Sequence, residues 1–191
     1  MKKWFVIAVA ALLIVPAMVL ATPGNGRQFS LPSNAVEVAP GVFDLGTAVV
    51  DGAELQGYAF VDYKKGFAKP NGAGAGSVKT TCYAFMAKGA KWKTVENWTV
   101  NPANTRGLGS NFILTNLAAN IQKWETAADK NIMGSGSTTA NTLVADTSSP
   151  DGVNEVYFAD IESSGAIAVT IVWGYFSGPT FLRELVEWDQ I

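Results

Sequence analysis

SNFILTNLAANIQKWETAAD, residues 110–129, decides the fold class. Leu114, Leu117, Ala118, Ile121, Trp124 and Ala128 recur at helical spacing and form one apolar stripe. Ser110 or Asn111 is placed to cap the start, and Gln122, Lys123 and Glu125 fall on the wet face. Large Leu, Ile and Trp side chains on one stripe need a broad apolar surface to pack on, which predicts a helix lying on a sheet.

The flanking sequence supplies strands. Val36-Glu37-Val38 alternates, Pro40-Gly41 turns, Val42 to Val50 is apolar and β-branched, Asp51-Gly52 is a hairpin turn, and Tyr58 to Tyr63 alternates again. Val78 to Ala87 and Trp92 to Val100 also have strand composition. After the helix come a Gly/Ser/Thr loop (Met133 to Thr142), a turn at Ser148 to Gly152, and strand-like runs at Val156 to Phe158, Ala166 to Tyr175 and Leu185 to Ile191. One long helix among many strands predicts an α+β fold, a twisted mixed sheet backed by that helix, with a small N-terminal β-lobe.

The start of the chain reads as an export signal. Lys2 and Lys3 precede the apolar run Trp4 to Val15, Pro16 ends it, and Val19-Leu20-Ala21 offers small residues for cleavage after Ala21. The expected organisation is a signal peptide over residues 1–21, a β-lobe or pro-segment over 22–69, a Gly-rich linker over 70–77 and an α+β domain over 78–191. Leu185 to Ile191 stops on an apolar residue in mid-pattern, so the reading frame is expected to continue past Ile191. The expected location is secreted and extracellular, with membrane contact only through the export signal.

Charge and composition exclude several functions. The chain has 14 basic and 16 acidic residues, and losing Lys2 and Lys3 takes the net charge from −2 to −4, so no nucleic-acid partner is expected. Seven lysines between Tyr63 and Val95 have no acid among them, whereas Asp146 to Ile191 holds eight acids and one base, Arg183. Those runs read as two solvated faces, or the lysines as a patch for an anionic surface or glycan. Histidine is absent, which removes Ser–His and Cys–His pairs and every His-based zinc site. Cys82 is the single cysteine, either a buried small hydrophobe or a thiol with a partner elsewhere. Asn97-Trp98-Thr99 is a glycosylation sequon. Residues 70–77 (PNGAGAGS) lack the Gly-Lys-Ser/Thr ending of a phosphate-binding loop. Glu187 and Asp189 share a strand face at i, i+2. They read as two solvated acids or as a carboxylate pair of the glycosidase kind.

From Lys91 onward the order of signals resembles the N-terminal half of a matrixin-like metzincin, a secreted zinc endopeptidase. The residues that carry the resemblance are Lys93 to Val100, Trp124-Glu125-Thr126-Ala127-Ala128-Asp129, Asp151-Gly152-Val153-Asn154-Glu155-Val156-Tyr157-Phe158, Ser164-Gly165-Ala166-Ile167-Ala168-Val169-Thr170 and Glu187-Trp188-Asp189-Gln190-Ile191. The resemblance implies a long helix backing a twisted sheet, an edge strand above a cleft, and a carboxylate-bearing strand leading toward a catalytic helix. It also implies a peptide or protein substrate that pairs by strand addition with Gly165, Ala166, Ile167, Ala168 and Val169. The same run is apolar enough to be an inner strand. The family's catalytic H-E-x-x-H is missing, and so is the Pro-Arg-Cys-Gly setting of its switch cysteine around Cys82. No catalytic or metal residue is therefore assigned in this chain, and zinc is expected only with a downstream catalytic helix. The alternative is a non-catalytic extracellular β-rich binding, surface or filament module.

Overall fold

A computed structural model describes residues 27–67 and 86–191. The export signal, the Gly-rich linker, Cys82 and most of the strand expected at Val78 to Ala87 lie outside the described residues. Ten strands and one helix follow in chain order: β1 (Gln28–Phe29), β2 (Val36–Ala39), β3 (Val42–Val50), β4 (Ala53–Tyr63), β5 (Glu96–Val100), α1 (Ser110–Ala128), β6 (Met133–Thr138), β7 (Asn154–Val156), β8 (Asp160–Ile161), β9 (Ala166–Tyr175) and β10 (Glu184–Gln190). Eight of the strands form one mixed sheet in the order β2-β3-β4-β9-β10-β7-β5-β6, and β1 pairs with β8 beside it. The class is α+β, as the sequence predicts.

The sheet has two halves that meet at β10. From β2 to β10 every neighbour is antiparallel, while β10, β7, β5 and β6 run parallel. Antiparallel neighbours need only tight turns, and Asp51-Gly52 supplies one, with φ of 51° and 78° at its two central residues. Parallel neighbours need a long crossover, and α1 provides it between β5 and β6.

Each face of the sheet has its own core. On the helix side Ile113 is buried against Trp98, Val100 and Val156, with Leu114, Leu117, Ile121, Met133 and Trp188 packed around them. The opposite face collects Leu55, Ala59 and Val61 from β4 and Val169, Ile171 and Trp173 from β9. Phe29, Leu143, Ala145, Tyr157 and Ile191 cover them. The Trp173 ring packs against Gly57 of β4, where a Cβ would sit 2.7 Å from it, so only glycine fits opposite it.

The structure corrects three expectations. The buried stripe of α1 is turned from the one read in the sequence: Ile113, Leu114, Leu117 and Ile121 face the sheet, whereas Ala118 and Ala128 are exposed and Trp124 is 79% exposed. Gly109 takes the N-cap position without a side-chain bond. Met133 to Thr138 is the edge strand β6, because Gly134 and Gly136 leave room for Asn97 and for the Trp98 ring on β5. The N-terminal strands join the main sheet, since β4 hydrogen-bonds along β9 and shares its apolar face.

Ile113→Ala should cost about 2–5 kcal/mol, while Trp124→Gln should change stability by less than about 0.5 kcal/mol. Urea unfolding of the two variants checks the turned stripe; equal losses would contradict it.

Candidate functional site

The side of the sheet away from α1 carries an unusual set of acids. Side chains alternate along a strand, and on β10 the alternation puts Glu187 and Asp189 on that inner face. Trp188 points toward the helix side. The parallel register sets Asp189 beside Glu155 of β7. Residues 139–153 then cross this face, burying Leu143 and Ala145 and delivering Asp146 and Asp151. The crossing is pinned at Asp146, whose carbonyl accepts the Trp173 Nε1–H at 2.6 Å, and at Ala145, whose N–H donates to the Tyr157 hydroxyl at 3.1 Å.

Asp146, Glu187 and Asp189 converge so that one carboxylate oxygen from each lies within 4.8 Å of the other two. Glu187 and Asp189 are each 1% exposed. One oxygen of each is fixed by a backbone N–H: Asp146 N donates to Asp189 Oδ2 at 2.7 Å, and Gly152 N donates to Glu187 Oε2. Asp146 Oδ2, Glu187 Oε1 and Asp189 Oδ1 are buried and have no donor outside this group of carboxyls. Among the described residues the one ion pair is Lys93–Glu184 at 3.0 Å, away from this group. Arg27 lies over the Tyr157 ring, 5.7 Å from its centroid, and its Nη1 is buried without a partner.

Burial shapes the electrostatics. Loss of water raises the Glu187 carboxyl to about 9, helped by the adjoining Asp146 and Asp189 and opposed by the Gly152 N–H. Burial also lifts Asp189 to about 7, with the Asp146 N–H pulling the other way and the charges of Asp146, Glu155 and Asp151 adding to the rise. Glu155 is raised to about 7 by burial and by Asp151, against a backbone bond from Val144 and the charge of Arg27. Asp146 is raised by burial as well, and its bond with Glu187 opposes the rise. Such a group is stable with protons shared between carboxylates or with a cation among them.

The i, i+2 spacing of Glu187 and Asp189 predicts solvated acids or a glycosidase pair, and their 1% exposure fits neither. They are buried because residues 139–153 cover them, and no sugar reaches oxygens sealed in this way. Asp146 carried no sequence signal, since the segment that delivers it has no strand partner. The expected acidic outer face is thus partly interior.

The proposed peptide-pairing residues are also placed otherwise. Ala166, Ala168 and Val169 stand opposite Tyr63, Asp62 and Val61 of β4, so β9 is an inner strand. Gly165, at φ 80°, lies against the Phe67 ring and its carbonyl accepts the Lys64 N–H at 2.9 Å. Val169 also exchanges backbone bonds with Ile191 on its other side. Ile167 remains 64% exposed as a side chain, but its strand is already paired along β4. Nothing among these residues suits catalytic zinc: histidine is absent, and the converging donors are all carboxylate oxygens. Among the described residues no helix is long and apolar enough to cross a membrane. No protein-family model, curated protein or solved structure matches the chain.

The raised carboxyls set a pH dependence for protein kept free of divalent ions. Glu155, Glu187 and Asp189 hold protons in the folded state that the unfolded chain, at ordinary values of 4.5 or 3.8, releases. Their contribution is complete below about pH 4 and is lost as pH rises through about 7 and on toward 9. Each excess proton lowers stability by about 1.4 kcal/mol per pH unit within that window. Urea unfolding followed by tryptophan fluorescence in EDTA between pH 5 and 9 should therefore show falling stability; a rise over that range would contradict the burial.

Proposed function

We propose that the chain is the non-catalytic N-terminal portion of an exported zinc-dependent endopeptidase resembling the matrixin-like metzincins, inactive without a further helix. The observation that supports this most is the order of its second half. Strand β5 leads into α1, α1 backs the sheet, β9 carries the Gly-Ala-Ile-Ala-Val-Thr stretch, and β10 follows as the carboxylate-bearing strand. The resemblance implies that order along the chain, though it also implies an edge position for β9, which here lies between β4 and β10. Peptide-bond hydrolysis would need zinc ligands and a general base, and this chain, having no histidine, holds no H-E-x-x-H. Its role would be to carry the sheet on which a peptide or protein substrate is laid.

The pairing of β4 with β9 limits that role. A substrate strand adding at Ala166 to Val169 would meet backbone groups already bonded to β4. Within this reading β4 stands where the peptide would lie, and pairing would require the β3–β4 hairpin to leave. The same observation favours a second reading, a non-catalytic extracellular β-rich module in which, among the described residues, the eight-stranded sheet has its edges at β2 and β6.

The two readings part at a single sequence fact. The protease reading predicts that the reading frame beyond Ile191 encodes H-E-x-x-H within a few tens of residues, about a loop and a helix further on. It also predicts that the 191-residue chain leaves a fluorogenic peptide uncut with or without added zinc. A stop codon directly after Ile191 would sink the protease reading and leave the module.

A further inference from the structure

The geometry points to a calcium site under residues 139–153, with Asp146, Glu187 and Asp189 as its carboxylate ligands. Each of the three residues contributes one carboxylate oxygen to the convergence, and each has a buried oxygen that no N–H satisfies, namely Asp146 Oδ2, Glu187 Oε1 and Asp189 Oδ1. The other oxygens of Glu187 and Asp189 are tied to the Gly152 and Asp146 N–H groups, which fixes both side chains and leaves each with a second, unsatisfied oxygen. A fixed carboxylate that offers one bare oxygen to a common point is the arrangement a metal ligand needs. Backbone bonds to ligating groups play the orienting part that outer partners play in metal sites generally.

The donor chemistry selects the ion. All three donors are hard carboxylate oxygens, which suit calcium, magnesium or manganese and leave out the thiolate and imidazole preferences of zinc and copper. One carboxylate oxygen from each residue lies within 4.8 Å of the others, close enough for a single cation bound at about 2.0–2.6 Å to reach all three. Magnesium keeps several waters and demands a tight octahedron; burial of Glu187 and Asp189 to 1% exposure leaves little water and favours the ion that accepts more protein oxygens. Asp151 and Glu155 add negative charge around the three ligands. Arg27 is engaged over the Tyr157 ring and forms no ion pair with them. The site does not depend on the protease reading, since it lies wholly within this chain.

Titration calorimetry on the full chain at pH 7.5, with calcium chloride alone after EDTA treatment, tests the site. One equivalent of calcium should bind with a dissociation constant of about 10⁻³ M or tighter, as extracellular modules do, and should raise the unfolding midpoint. Terbium should give emission sensitised by Trp173, whose indole bonds the Asp146 carbonyl. Glu187→Gln and Asp189→Asn should each weaken calcium binding about tenfold or more, while Asp160→Asn, outside the cluster, should leave it unchanged. Should one cluster variant fail to fold, the other and the wild-type titration still decide. Absence of calcium binding at millimolar concentration would overturn the site. Equal or tighter binding of magnesium or zinc would overturn the assignment to calcium, and unchanged binding in both cluster variants would overturn the ligands.

Discussion

Two carboxylates buried side by side on one strand are the constraint around which the rest of this sheet is arranged. Glu187 and Asp189 sit on the inner face of β10, the strand that joins the antiparallel and parallel halves of the sheet. Leaving them there as bare charges would be prohibitive. The segment from 139 to 153 answers this by giving each a backbone N–H and by bringing Asp146 alongside. That segment has little strand pairing of its own, so its path is set by what it covers. Leu143 and Ala145 bury apolar surface, Trp173 holds the Asp146 carbonyl, and Tyr157 accepts from Ala145.

The same region ties the N-terminal strands to the C-terminal ones. Trp173 contacts the acidic segment through its indole nitrogen and packs its ring against Gly57 of β4. A side chain at position 57 would displace the ring, and the ring holds the cover in place. Strand β4 is therefore coupled to the carboxylate group through one tryptophan. The edge of β9, which a peptide would need, is spent on β4 in building that core.

Much of the architecture was legible in the sequence. The hairpin at Asp51-Gly52, the limits of β3 and β9, and the extent of α1 all follow from alternation, turn chemistry and helical spacing. Three things were not. Helical spacing puts Trp124 on the apolar stripe of α1, yet it is solvated in the fold. The depth of Glu187 and Asp189 was hidden because a period of two says which residues share a face but not which face is covered. Asp146 had no local pattern at all; it joins the group only through register and a crossing segment, and those are long-range facts.

An anomalous difference map from crystals of the full chain grown with calcium chloride tests this account most directly. The account predicts a single strong peak between Asp146 Oδ2, Glu187 Oε1 and Asp189 Oδ1, at about 2.4 Å from each, and its loss in crystals grown with EDTA. A map with no peak there, and carboxylate oxygens at hydrogen-bonding distance from one another, would show that protons rather than a cation hold the group together.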